Sequence, residues 1–401
     1  MTRDQAIGVT SVAALCATIA GANLPNPLQP EYVYRFDLTP LLQGTLFSLY
    51  LAALVLALAC SVVASRRKIG TPRATLLLAL GATLLADAAF LAGSSHLLAL
   101  FAGRALSGIG VGLATGAAAS IALAHLGERA RTMVATSAVL GSLGGNLVGG
   151  VIGTFLPGPL LLSYLLHGTG VVLIGVPLIW FAPRPAPVSD AASRSNDRAV
   201  SPYRRRHRAA GYLLGAIAWS TAGVVLALIP AEERRLADSA TLLQAVLPSS
   251  VFLASAWIGQ IVVRRQIARV RAWHVVALMA GGFALLAWAL RAADSDLILI
   301  GAVVAGLGQG PAYSLGLATV AAELSPAEQG KAASVFAGVA YASCATVVLA
   351  AGAVGSVTSV PDAIGWVGVF TAGVGLLAVG CAGRPLRRPA QLPAGTEHIS
   401  D

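Results

Sequence analysis

Apolar residues fill this chain in long blocks, broken by short clusters of Arg, Pro, Gly and acids, rather than in the short alternating segments of an outer-membrane barrel. A helix needs about 20 apolar residues to cross a hydrocarbon core of roughly 30 Å. Runs of that length predict twelve spans, at 6–28, 41–64, 74–94, 97–124, 132–154, 160–182, 209–229, 241–263, 272–290, 297–321, 332–356 and 364–382. Lipid offers no hydrogen-bond partner to an open strand edge, so each span is expected to be helical. The predicted fold class is therefore an all-α integral membrane protein with twelve transmembrane helices. The first run ends in Ile19-Ala20-Gly21-Ala22, which resembles a signal-peptide cleavage site. Only Arg3 against Asp4 flanks it, however, and removing it would leave an odd number of spans, so it is read as a span.

Composition agrees. Of 401 residues, 56% are hydrophobic and 11% charged, and the mean hydropathy is +0.77, too greasy to cover a water-facing surface. The net charge of +10 would suit nucleic-acid binding in a soluble protein. Here the bases sit in loops, and they alternate. With the N-terminus in the cytoplasm, the inner loops hold Arg3, Arg66, Arg67, Lys68, Arg73, Arg129, Arg131, seven arginines between Arg184 and Arg208, Arg264, Arg265, Arg269, Arg271, Lys331, Arg384, Arg387 and Arg388. The outer loops hold Arg35, Arg234, Arg235 and Arg291. This asymmetry predicts both termini inside, and the Arg-heavy basic set, 25 Arg against Lys68 and Lys331, points to a bacterial cell membrane. The partners expected are the lipid bilayer, protons and a small-molecule substrate, not nucleic acid. Cys16, Cys60, Cys344 and Cys381 lie alone in apolar runs without metal-ligand spacing, so neither a disulfide framework nor a metal site is expected.

The polar stretch 183–208 reads as a flexible cytoplasmic linker between an N-terminal bundle at 1–182 and a C-terminal bundle at 209–383, followed by a cytoplasmic tail at 384–401. The halves repeat at a fixed shift. Ser61-Val62-Val63-Ala64-Ser65-Arg66 matches Gly259-Gln260-Ile261-Val262-Val263-Arg264, and Gly108-Ile109-Gly110-Val111-Gly112 matches Gly306-Leu307-Gly308-Gln309-Gly310. Two pseudo-symmetric six-helix bundles are how many secondary transporters are built, with a site between the halves near the midplane.

Several of these residues resemble motifs of the major facilitator superfamily. Arg104 followed by Gly108, Gly110 and Gly112 is similar to its fourth-helix motif. Gly141, Gly144, Gly145, Asn146, Gly149 and Gly150 resemble the fifth-helix gxxxGPxxGG motif, with Asn146 where the family prefers Pro. The loop from Ser65 to Gly70 resembles the family's basic loop only loosely, because its Asp is replaced by Ser65. The resemblance implies the twelve-helix drug:proton antiporter branch, an efflux function that can confer antibiotic resistance, a monomer, and a proton gradient as energy source with no cofactor. It places the glycines of the fifth helix at a gate.

Asp87 and Arg104 are the ionisable residues that fall well inside spans, and such groups default to functional candidates. At 1.5 Å per residue Asp87 lies about 20 Å from the inner side and Arg104 about 10 Å from the outer, which puts them at one level and predicts a contact. Glu31 and Asp37, flanking Arg35, form a second candidate proton site, and His167 is a third. Asn23 and Asn26 among Pro25 and Pro27 are expected to break span 1 and free backbone groups toward a cavity. The resemblance places Tyr50, Trp219, Gln244, Trp257, Gln260, Gln309 and Tyr313 around the central path. A scarcely charged cavity suits a lipophilic, uncharged or weakly cationic substrate.

No P-loop, HExxH or GxSxG occurs, so neither an enzyme nor an ATP-driven pump is expected. The reading that results is proton-coupled export of a small amphipathic antibiotic or metabolite. An importer of a small nutrient has the same architecture, and a transport-inactive scaffold or sensor is the alternative from another class.

Overall fold

The computed structural model describes residues 2–67, 69–127, 129–180, 202–236, 241–266, 270–322, 324 and 326–382. The expected linker lies outside these residues as far as 201, and so do Lys68 and the tail at 384–401. The side chains of Ser65, Arg66 and Arg204 lie outside them too.

Thirteen helices occur among the described residues: α1 (Arg3–Asn23), α2 (Pro25–Phe36), α3 (Pro40–Arg66), α4 (Pro72–Gly93), α5 (Leu97–Leu126), α6 (Arg129–Phe155), α7 (Pro159–Trp180), α8 (Pro202–Leu236), α9 (Leu242–Gln266), α10 (Ala272–Ala292), α11 (Ser295–Ala321), α12 (Pro326–Val357) and α13 (Val360–Ala382). They make twelve crossings, because α1 and α2 together form the first. The ends follow local chemistry. Thr71 accepts a hydrogen bond from the Ala74 amide, with Pro72 opening α4 behind it. Asp294 caps α11 through the Leu297 amide, and Gly127 closes α5 at a φ of 59°.

Span 1 departs from expectation. It continues past residue 28 to Phe36, because the prolines that signal a stop are tolerated in the first turn of a new helix. Leu24 keeps right-handed helical geometry at the joint and its amide still bonds Ala20. The chain is thus interrupted there without turning away, and Glu31 and Arg35 are helical rather than loop residues. Likewise α8 runs through Pro230 to Leu236 and buries Glu232 and Glu233 beyond the expected end at 229.

The two halves pack by one scheme. In the first, α5 presses its glycines into two neighbours: a Cβ at Gly108 would lie 2.2 Å from the Tyr50 carbonyl oxygen of α3, and one at Gly110 would lie 2.8 Å from Thr83 of α4. In the second, α11 does the same, with Gly306 2.3 Å from the Phe252 carbonyl of α9 and Gly308 2.7 Å from Met279 of α10. Backbone-to-backbone approach of this kind substitutes for the hydrophobic drive that lipid cannot supply. The molecule is an all-α membrane protein of two pseudo-symmetric six-helix bundles.

With twelve crossings, the start of α1 and the end of α13 share one end of the molecule, the terminal end. The described polar links between the bundles lie toward the other, far end. Gln29 donates to the Ala227 carbonyl at 2.6 Å, Glu31 pairs with Arg234 at 3.3 Å, the Leu41 amide donates to Ser356 Oγ at 2.9 Å, and the Leu243 amide donates to Thr154 Oγ1 at 2.9 Å. Nearer the middle, Ser48 donates to the Ala345 carbonyl at 2.7 Å. Among the described residues the bundles are therefore clasped at the far end and, through Ser48, as deep as the middle.

Candidate functional site

At the level where the clasp ends, aromatic side chains gather. Trp219 of α8 meets Tyr341 of α12 edge-on at 4.8 Å and 67°, and Tyr313 of α11 at 6.2 Å and 82°. Tyr313 in turn lies 5.1 Å from Phe336 of α12. Tyr50 of α3 and Tyr341 each pack against the apolar cores of both bundles. Trp219, Tyr313, Tyr341 and Tyr50 are half-buried and uncharged, so this wall offers ring faces and phenol hydroxyls at the bundle interface.

Three of the expected cavity residues, Tyr50, Trp219 and Tyr313, thus come together, joined by Tyr341 and Phe336, which the sequence reading did not single out. Their spacing on α12 is that of any apolar helix, so no sequence signal separates them. Other expected residues lie elsewhere. Gln244 is an end-cap, its side chain accepting from the Thr241 amide at 2.7 Å. Trp257 is 40% exposed and has no ring contact with the aromatic group among the described residues. Gln309 is buried, between glycines that press against α10 and α9. Asn23 and Asn26 knit the helix joint: Asn26 donates to Asn23 Oδ1 at 3.3 Å, and Asn23 donates to the Ile19 carbonyl at 2.9 Å.

Behind the wall, inside the first bundle, lie the buried ionisable groups. Arg104 of α5 donates to the Ala22 carbonyl at 3.2 Å and to Asn26 Oδ1 at 3.0 Å. Both acceptors flank the proline-rich joint, where missing proline N–H groups leave α1 and α2 short of internal bonds. Tyr32 of α2 and Tyr164 of α7 share a hydrogen bond of 2.9 Å, and Tyr164 stacks on Phe90 at 5.0 Å. Among the described residues no carboxylate lies within ion-pair distance of Arg104.

The expected Asp87–Arg104 contact is therefore corrected. Asp87 of α4 turns to α7, where its Oδ2 lies 2.8 Å from His167 Nδ1. His167 Nε2 donates to the Ala17 carbonyl of α1 at 2.9 Å. Depth arithmetic gives the level of a residue but not its direction around the helix, and α4 and α5 point these two apart. The residues of the second candidate proton site take separate partners. Glu31 is drawn across to Arg234, Arg35 donates to the Ser94 carbonyl, and Asp37 is an exposed helix cap at a φ of 50°.

The glycine face of α6 is a packing surface along most of its length. Cβ atoms at Gly141, Gly145 and Gly149 would meet the Cys16 carbonyl at 2.6 Å, the Ala20 carbonyl at 2.3 Å and Pro27 at 2.5 Å, so the motif follows α1 across the joint. Gly150 turns to the other bundle, with Val246 2.8 Å from its missing Cβ. Asn146 is fully buried and donates to the Ser142 carbonyl at 3.0 Å, while its Oδ1 has no partner among the described residues. Among the described residues no three His, Cys, Asp or Glu side chains converge in a way that would hold a metal.

The sequence profile described as Major Facilitator Superfamily matches residues 10–290. Among solved structures, the chain is similar to the nucleoside transporter NupG, with a TM-score of 0.71, 12% identity, and 96% of this chain and 100% of that one covered. It is also similar to a bacterial homolog of the human lysosomal transporter Spinster in its inward-facing, unoccupied conformation, with a TM-score of 0.74, 10% identity, and 95% and 97% covered. A D-xylose-proton symporter gives 0.69 at 15% identity, covering 94% and 96%. No curated protein matches.

Proposed function

This chain belongs to the Major Facilitator Superfamily, and we propose that it is a proton-coupled exporter of small amphipathic compounds, an antibiotic or a metabolite, working by alternating access in a bacterial cell membrane. The observation that carries this reading is the uncharged aromatic wall at mid-depth between two bundles clasped at the far end. Tyr50, Trp219, Tyr313 and Tyr341 supply flat apolar contact to a ring or alkyl body, with the buried Phe336 packed behind Tyr313. A sugar phosphate or dicarboxylate would call for bases at that wall. The loop arginines support placing the terminal end in the cytoplasm, so the clasped far end faces outward.

Binding at the wall from the cytoplasm, release of the far-end clasp and closure of the terminal end would deliver the compound outside. The glycine face of α6 supports export over import through its likeness to the antiporter motif. The solved nucleoside transporter and D-xylose-proton symporter support the competing reading, an importer on the same fold. Ethidium efflux from cells expressing the protein decides between them. Export is expected to appear against an empty-vector control and to collapse on adding a protonophore. Absence of efflux together with accumulation of a labelled nucleoside or pentose would overturn the export reading in favour of import, and no proton-dependent flux of either would favour a scaffold.

A further inference from the structure

We infer that Asp87 and His167 form one proton-binding site, a pair that shares a single exchangeable proton and joins α4 and α7 to α1 only while it holds that proton. The inference rests on the proton-coupled reading above for its role in transport, but the site itself stands on hydrogen-bond accounting.

A backbone carbonyl can only accept, so the 2.9 Å contact with Ala17 requires a proton on His167 Nε2. That fixes one nitrogen. The other, Nδ1, lies 2.8 Å from Asp87 Oδ2, and this contact also needs a proton between its two atoms. It is satisfied either by imidazolium facing carboxylate or by neutral imidazole accepting from the carboxylic acid. In both forms the pair carries one shared proton and is neutral overall. Losing that proton to water leaves an Nδ1 lone pair facing a carboxylate at hydrogen-bond distance. The attraction becomes repulsion, and the net charge of the pair becomes negative in a site where the two side chains are 11% and 6% exposed. With the remaining proton on Nε2 the Asp87 contact is lost, and moving it to Nδ1 would give up the Ala17 bond instead, so α4, α7 and α1 are all joined only while the shared proton is present.

The seat of the imidazole is built into α1. A Cβ at Gly21 would lie 2.2 Å from His167 Cε1, so the ring lies on bare backbone one turn beyond the carbonyl it bonds. The same stretch of α1 is held at its other end by Arg104, through Ala22 and Asn26, and from the α6 side by Gly141 and Gly145. Of the titratable groups on the surrounding elements, Tyr164 on α7 lies close enough to act on Asp87, whereas Arg104 on α5 turns to Ala22 and Asn26; α6 presents glycines. Among the described residues no second carboxylate contacts either side chain of the pair. Because His167 anchors α1 just before the proline-rich joint, releasing it frees the segment whose continuation, α2, carries Gln29 and Glu31 of the far-end clasp. That supplies a physical route from proton occupancy to the clasp.

The test reads the site directly. The protein has six histidines, and 15N-histidine with 13Cγ-aspartate labelling of the full chain in lipid nanodiscs resolves tautomer and titration, with His167→Gln and Asp87→Asn assigning the signals. His167 is expected to keep its proton on Nε2 throughout, while Nδ1 and the Asp87 carboxyl carbon titrate with one common midpoint. In Asp87→Asn the His167 midpoint is expected to move by about one to three pH units, and Gly21→Ala is expected to abolish the joint transition. Separate midpoints in the wild-type protein, a proton on Nδ1 with Nε2 bare, or a His167 curve unchanged by Asp87→Asn would each overturn the pair. If a variant fails to fold, the wild-type spectra alone still decide. Ethidium efflux separates the two readings. A common midpoint without wild-type efflux sinks the exporter and leaves the site standing, whereas protonophore-sensitive efflux that persists in both Asp87→Asn and His167→Gln removes the pair from coupling.

Discussion

A methyl group added at Gly108 would sit 2.2 Å from the Tyr50 carbonyl oxygen, whereas one added at Gly81 would meet nothing within 4 Å. Both glycines lie within helices, so sequence alone treats them alike. Backbone atoms cannot step aside as a flexible side chain can, and α5 must part from α3 to admit the methyl. Gly108→Ala is expected to cost about 1–3 kcal/mol, the usual penalty for overpacking, while Gly81→Ala stays within about 0.5 kcal/mol of the parent. Unfolding in mixed detergent checks both, and equal effects would refute the packing argument. The ionisable residues divide in the same way. Asp87, Arg104 and His167 are legible as candidates because charge or imidazole inside an apolar run is rare. Their partners are not legible, because spacing along a helix gives depth, while partnership depends on where the side chain points around it and on which neighbour stands there. His167 became the partner of Asp87 through Gly21, whose only contribution is to be small.

Among the elements, α2 is the one its sequence disguises most. Three prolines in twelve residues look like the end of a span, yet each is compatible with a helix whose first turn they occupy or whose neighbours supply the missing bonds. The consequence is functional, since α2 carries the far-end clasp. Its two links differ in kind. Glu31 and Arg234 are about one-third exposed, so their attraction is screened and contributes about 0–1 kcal/mol. Gln29 is buried, donating to Ala227 at 2.6 Å and to Gln43 at 3.1 Å, and removing it strands buried acceptors at about 1–3 kcal/mol. Gln29→Leu is therefore expected to shift the closed-to-open balance at the far end by about 5- to 150-fold, and Arg234→Ala by about fivefold at most. Spin labels at Tyr34 and Val357, which are 90% and 83% exposed on opposite bundles, should report a longer distance population that is larger in Gln29→Leu than in Arg234→Ala. The reverse order would mean that the ion pair, not the buried amide, holds the clasp.

For the whole molecule, the duplicated glycine pattern was legible because it is a backbone requirement repeated at one shift, and α5 and α11 indeed enter the same groove in each bundle. Which end is shut was not legible, since both conformations of an alternating-access protein are written in one sequence and differ only in which existing surfaces touch. In the present conformation α6 and α9 touch at the far end. A Cβ built on Gly153 lies 3.2 Å from the Leu242 Cβ, slightly inside the 3.5–4.5 Å that disulfides span, and replacing Leu242 removes the side chain that fills the gap. Gly153→Cys with Leu242→Cys, in a background lacking Cys16, Cys60, Cys344 and Cys381, is therefore expected to cross-link readily on mild oxidation. If the two bundles must part at the far end to release substrate, the bridged protein should hold its ethidium efflux near zero and regain it on reduction, while either single cysteine leaves oxidation without effect. Efflux that continues with the bridge intact would show that substrate leaves by a route that does not separate α6 from α9, and the rocking of one bundle against the other would have to be abandoned.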